Sequence, residues 1–198
     1  TTNAASDVRN ALVDLKSQGI TRLVLDVRDN PGGILKEAVD IVNLFVPKGK
    51  EVVRTIGKLE NVNSVYKTTK SPVDKDIPMV VLINERSASA AEIVAGALQD
   101  YDRAVLIGRR TFGKGLVQTT VPLSYNAQVK ITTAKYYIPS GRCIQAIDYS
   151  QENRDENGNS ISIPDSLRKE FKTKNGRIVL DGAGIEPDQK TESKSFAP

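Results

Sequence analysis

Three short apolar runs constrain the fold more than any other feature. Residues 21–28 (TRLVLDVR), 79–84 (MVVLIN) and 104–109 (AVLIGR) are each bounded by turn signals and too short for a helix, so they read as buried strands. Segments of helical period surround them. Residues 6–19 carry Val8, Leu12 and Leu15 at helical spacing, with Ser6 or Asp7 to cap the start and Gly19 to stop it. Residues 34–46 put Ile34, Ala38, Ile41, Val42 and Phe45 on one face, and residues 87–101 form a third helix. Strands that alternate with helices predict an α/β sheet with crossover connections. Residues 51–57 and 61–69 read as a hairpin, and 116–123 and 127–139 as alternating strands around a turn near Asn126. A hairpin-rich β portion is therefore expected beside the core. Residues 151–160 read as an exposed polar loop and 189–198 as a polar tail, and the 198 residues together form one domain, with room for a small subdomain.

Composition removes whole classes of chemistry. The chain has no histidine, which excludes Ser-His-Asp and Cys-His mechanisms and most zinc enzymes. Any nucleophilic catalysis here must give the proton to another side chain, and lysine is the usual substitute. The single cysteine, Cys143, excludes an internal disulfide and reads as a small packing residue. A net charge of +4 is spread along the chain, aromatics make up only 5%, and no basic cluster interleaves with stacking residues, so no nucleic-acid partner is expected. No apolar run approaches the roughly 20 residues a membrane helix needs. The first ten residues have neither a basic start nor an apolar stretch, so they are no signal peptide.

Ser89 falls at the start of the third helix, directly after a strand and a short loop. Backbone N–H groups at a helix N-terminus are unpaired, and with the helix dipole they can stabilise an oxyanion beside the serine. The amide of Ala90 is the natural donor. The same residues, Ser89-Ala-Ala-Glu92, also fit a capping box, and Ser87 is an equal cap candidate. Lys114 sits between two glycines behind an aromatic, in Thr111-Phe112-Gly113-Lys114-Gly115. The third helix runs out for about 20 Å at about 1.5 Å per residue. The strand after it returns about 20 Å at about 3.3 Å per residue, which brings Lys114 back towards Ser89. A lysine base must be neutral, and burial in an apolar pocket favours that form. Phe112 and neighbouring aliphatic residues are expected to build the pocket, with Gln118 orienting the amine without adding charge. Asp29-Asn30-Pro31-Gly32-Gly33 follows a buried strand and opens a helix. Gly33, with Gly32 in reserve, is the candidate for a second oxyanion donor; a plain strand-to-helix turn accounts for the same residues.

LVLDVRDNPGG, VVLINERSASAAEIVAGALQD and GRRTFGKGLVQ together resemble the C-terminal processing peptidases, also called tail-specific proteases. The resemblance runs from about residue 8 to residue 188, including the late GIEPD segment. It implies Ser89 as nucleophile, Lys114 as base and Gln118 as its partner, with an oxyanion hole from Ala90 and Gly32 or Gly33. It implies serine endopeptidase activity near protein C-termini through an acyl-enzyme, with no metal or organic cofactor. The expected partners are protein or peptide substrates with apolar C-termini, with a regulatory partner or oligomer in the full-length protein. The implied fold is a crotonase/Clp-protease-like core. The implied location is the bacterial periplasm or the outer face of the cytoplasmic membrane. Family members usually carry a PDZ domain and preceding strands, neither recognisable here, so the sequence reads as an excised catalytic core.

Two rival readings remain. One is a catalytically incompetent or auto-inhibited core that binds proteins. The other is a P-loop: Gly108 to Lys114 follows the phosphate-loop pattern until Gly115 replaces the metal-binding hydroxyl, but the segment that follows reads as a strand where a helix is required.

Overall fold

A computed structural model describes residues 2–149 and 154–192. Its elements in chain order are α1 (Ala4–Ser17), β1 (Leu23–Asp26), α2 (Leu35–Asn43), β2 (Glu51–Gly57), β3 (Ser64–Lys67), β4 (Met79–Ile83), α3 (Ala90–Asp100), β5 (Val105–Gly108), β6 (Leu116–Pro122) and β7 (Gln128–Tyr137). Five short strands follow: β8 (Ile147–Asp148), β9 (Ile161–Ser162), β10 (Glu170–Lys172), β11 (Ile178–Leu180) and β12 (Gln189–Lys190).

The three apolar runs form one parallel sheet in the order β1-β4-β5-β12. A second, antiparallel sheet runs β3-β2-β7-β6. The architecture is mixed α/β with the expected hairpin portion. Every residue of α3 is buried, consistent with a helix apolar nearly all round. Its small residues let neighbours approach closely: a Cβ on Gly96 would sit 2.7 Å from Ile138 Cδ1 and 2.8 Å from Ile185 Cδ1. Ile83, Ile93, Leu98, Leu106, Ile138 and Ile185 form the centre of the core.

Three local expectations need correction. The parallel strands are not buried on both faces: Val24 is 62% and Val105 48% exposed, because side chains alternate across a strand and these two point away from the core. The first helix starts at Ala4 with Asn3 in the cap position, so Ser6 and Asp7 lie inside its first turn. Residues 189–190 are not tail but β12, a parallel edge strand on β5. Of the expected 151–160 loop, 151–153 lie outside the described residues, as do 193–198 of the expected tail; 154–160 close through a bridge between Arg154 and Ser160.

Candidate active site

The site is assembled where two strand-to-helix turns meet. The turn after β1 contains Asp29, at φ 57°, and Gly32, at φ 99°. The turn after β4 ends at Ser89, at φ 56° and ψ −116°. A non-glycine residue in that region costs about 1–3 kcal/mol and persists only where its surroundings enforce it.

Here the surroundings are specific. Ala88 N–H donates to Asn30 O at 2.9 Å, tying one turn to the other. Asn84 Oδ1 accepts from Asp29 N–H at 2.9 Å, and its amide nitrogen donates to Asp29 Oδ1 at 3.0 Å. Ser87 is fully buried and donates to Val27 O at 2.7 Å while accepting from Asn84 N–H at 3.0 Å. It locks the loop and does not cap α3.

Glu92, in the first turn of α3, joins the serine turn to the lysine loop. Its side chain is 0% exposed. Oε2 accepts from Ser89 N–H at 2.7 Å and from Lys114 N–H at 2.9 Å. Oε1 accepts from Thr111 Oγ1 at 2.5 Å and from Gly113 N–H at 2.7 Å. The backbone nitrogens of Ser89 and Lys114 thus converge on one oxygen atom. Burial pushes the Glu92 carboxyl up from its ordinary range, and the four donated hydrogen bonds pull it back. The capping box visible in the sequence is therefore one part of a larger clamp. Thr111 and Gly113 gave no sequence signal for it.

The amides of Gly33 and Ala90 donate to nothing among the described residues, whereas Gly32 N–H donates to Asn30 Oδ1 at 2.9 Å. A Cβ on Gly32 would lie 2.7 Å from Ala88 O, 2.8 Å from Ser89 Cβ and 2.9 Å from Ala90 N. Glycine is required there for the two turns to touch. Gly33 has open space around it. The two amides border a pocket of about 330 Å³ that Val8, Leu25, Val27, Ile34, Ile41 and Val94 line together with Asp26, Asn30 and Glu37.

The lysine loop departs from the expected apolar pocket. Thr111, Gly113 and Gly115 are buried, and Phe112 and Lys114 between them are exposed, Phe112 at 56%. The reason is alternation: a Cβ on Gly113 would lie 2.3 Å from Ala146 Cβ, and one on Gly115 2.6 Å from Gln145 N, so the glycines face inward and their neighbours outward. Gly115 N–H also donates to Gln145 Oε1 at 2.8 Å. The Lys114 side chain makes no hydrogen bond to Ser89 or Gln118 among the described residues. Gln118 lies on β6 beside a β-bulge that leaves Thr133 of β7 unpaired. The loop leads into strand β6, not a helix, so it lacks the geometry of a phosphate loop.

Arg142 is buried and ion-paired to Asp100 at 2.8 Å, and it donates to Gln99 Oε1 at 2.7 Å. Burial raises the Cys143 thiol, in keeping with a packing residue.

Similarity to known proteins places the chain in a class of peptidases. The model of "Peptidase family S41" matches residues 1–152. The carboxy-terminal-processing protease of Bartonella bacilliformis is 45% identical over 146 residues, covering 72% of this chain and 33% of its own length. The chloroplastic C-terminal processing peptidase of Tetradesmus obliquus is 38% identical over 150 residues, covering 76% of this chain and 32% of its own. Among solved structures, the photosystem II D1 C-terminal processing protease superposes with a TM-score of 0.72 at 29% identity, over 97% of this chain and 40% of that one.

The chain belongs to peptidase family S41, the C-terminal processing peptidases. It spans about a third of the length of the curated relatives it matches.

Proposed function

We propose that this chain is the peptide-cleaving core of a C-terminal processing serine peptidase that works through a Ser89/Lys114 dyad. The observation that carries the reading is the convergence of the Ser89 and Lys114 backbones on one Glu92 oxygen. Ser89 Oγ attacks the scissile carbonyl. Lys114 takes its proton and returns it to the leaving amine, and water then hydrolyses the acyl-enzyme. Ala90 and Gly33 donate to the oxyanion, with Gly32 allowing their approach. Gln118 orients the lysine. Lys114 faces open surface, where a bound peptide can lie over it. The aliphatic part of the pocket beside the oxyanion donors supports substrates that present an apolar side chain there, as an apolar C-terminus does. The resemblance further supports a crotonase/Clp-protease-like fold for the core and action in the bacterial periplasm or at the outer face of the cytoplasmic membrane.

The test pairs labelling with hydrolysis. A fluorophosphonate or sulfonyl probe should modify Ser89 in the wild type but not in Lys114→Ala. Ser89→Ala and Lys114→Ala should each stop peptide cleavage with circular dichroism unchanged. Near-full activity in either variant refutes the assignment.

A further inference from the structure

We propose that the β6–β7 hairpin is a membrane-docking arm whose tip inserts into the surface of an anionic lipid bilayer. The inference does not depend on the Ser89/Lys114 dyad. The base of the arm belongs to the second sheet, where β7 pairs with β2 from Ala134 to Tyr137. From Gln118↔Thr132 out to Pro122↔Gln128, the two strands pair only with each other. The two-residue period of a strand divides this ribbon into two faces. One carries Gln118, Thr120, Gln128, Lys130 and Thr132 and is polar. The other carries Val121, Leu123, Ala127, Val129 and Ile131 and is apolar apart from Thr119. Val121, Leu123 and Ile131 are nevertheless exposed, Leu123 at 54%. A two-stranded ribbon is marginal in water unless a face of it packs against something.

The tip repeats the pattern. Tyr125 is fully exposed and stands at φ 58° and ψ 37°, a left-handed conformation that bulky residues enter rarely and at a cost. Full exposure means that no packing within the chain compensates for it. Leu123 N–H donates to Ala127 O at 2.8 Å, Ala127 N–H donates to Ser124 O at 3.3 Å, and Pro122 has no N–H, which limits the cost of moving the tip out of bulk water.

Charge and size select the occupant. No Asp or Glu lies between Asp102 and Asp148, so the only charges on the arm are Lys130 and Lys135. Lys130 is exposed and makes no ion pair among the described residues. It stands three residues back from Ala127, about 10 Å at about 3.3 Å per residue. That is headgroup depth when Leu123 and Tyr125 reach the acyl boundary. An aliphatic side chain beside a tyrosine, with its apolar ring and polar end, suits that boundary. A second copy fits less well, because stable dimers use about 20 residues a side and this face offers five apolar side chains and Tyr125.

The chain has no tryptophan, so Tyr125→Trp places a single reporter at the tip. It is titrated with phosphatidylcholine vesicles and with vesicles containing phosphatidylglycerol as well. Its emission should shift to the blue and half-saturate at about fivefold less lipid on the anionic vesicles, the effect of one lysine near a charged surface. Added salt should shrink that preference. The unsubstituted chain should co-sediment with the same preference. Adding Lys130→Gln should bring the two vesicles within about twofold. Adding Leu123→Ser should cut partition onto anionic vesicles about tenfold, with circular dichroism unchanged. Absence of both shift and co-sedimentation with anionic vesicles overturns the proposal. So does equal partition onto both vesicles, or a Leu123→Ser variant that partitions like its parent. A blue shift that grows with protein concentration in the absence of lipid also overturns it, by making a second copy the occupant.

Discussion

Replacing Glu92 with glutamine tests the idea that one buried carboxylate couples nucleophile to base. An ionised carboxylate offers about four acceptor positions, and Glu92 fills four of them with donors from Ser89, Thr111, Gly113 and Lys114. Glutamine keeps one acceptor oxygen and turns the other into an NH₂ group facing two donors. Whichever way the amide flips, two donors lose their partner, at about 1–3 kcal/mol each. A neutral amide is less costly to bury than a carboxylate, which offsets part of this, so a net loss of about 2–3 kcal/mol is expected. The effect on turnover should be larger than this implies. Misplacement of reacting groups by about 1 Å can cost about 100-fold, and in the flip that puts the NH₂ group beside Ser89 and Lys114 their two backbones lose the acceptor they share. Denaturant unfolding gives the first quantity. Peptide kcat/KM, measured at a temperature where the variant is fully folded, gives the second. Glu92→Leu, which strands all four donors, should be worse in both. If Glu92→Gln unfolds with less than about 0.5 kcal/mol of loss, the hydrogen-bond accounting is wrong. If it is destabilised but turns over normally when folded, the clamp is structural only.

Three further outcomes follow from single contacts. Gly32→Ala puts a methyl within 3 Å of Ala88 O, Ser89 Cβ and Ala90 N at a positive φ, so labelling of Ser89 and peptide hydrolysis should both collapse; retention of either contradicts the proposed approach of the two turns. Asp100→Asn leaves the buried Arg142 guanidinium without its counter-charge, and urea unfolding should show a loss of about 3–5 kcal/mol. Lys16 and two backbone N–H groups hold the Asp74 carboxyl down at about 2, against an ordinary 3.8. Because the folded value is depressed, its contribution exists above pH 3.8 and is lost as pH falls through about 2. The stability gap between wild type and Asp74→Asn should therefore close across that window, and a pH-independent gap would contradict the linkage.

What the sequence revealed and what it hid divide along physical lines. The parallel strands and helices were legible because apolar periodicity and turn residues are local signals, and the return of the chain from Ser89 to Lys114 followed from element lengths alone. The exposure of Val24 was not legible, since an apolar run does not say whether one face or both will be covered. The setting of Lys114 was misjudged for a related reason: Phe112 beside it suggested an apolar pocket, but the inward demand of Gly113 and Gly115, set by Ala146 and Gln145, turned both side chains outward. Glu92 was visible as a cap, yet three of its four partners come from a loop some twenty residues on, and no local pattern announces such a bond.

The last forty residues, the least readable by pattern, hold much of this geometry in place. Thr111 Oγ1 accepts from Ile185 N–H at 2.7 Å while donating to Glu92, so the segment before β12 sets the orientation of the hydroxyl on which the clamp depends. Gly184 has a positive φ, and a side chain there would also meet Thr111 Oγ1 at 2.7 Å and Gly113 N at 3.0 Å. At the other end of α3, Gln99 donates to Glu186 O and Asp188 Oδ1, both at 3.0 Å, and Asp188 Oδ2 accepts from Leu106 N–H at 2.8 Å. One stretch of chain thus fixes both the far end of the helix that begins at Ser89 and the loop that carries Lys114. Residues 184–188 therefore add a second tie, beside Glu92, between the helix that begins at Ser89 and the loop that carries Lys114.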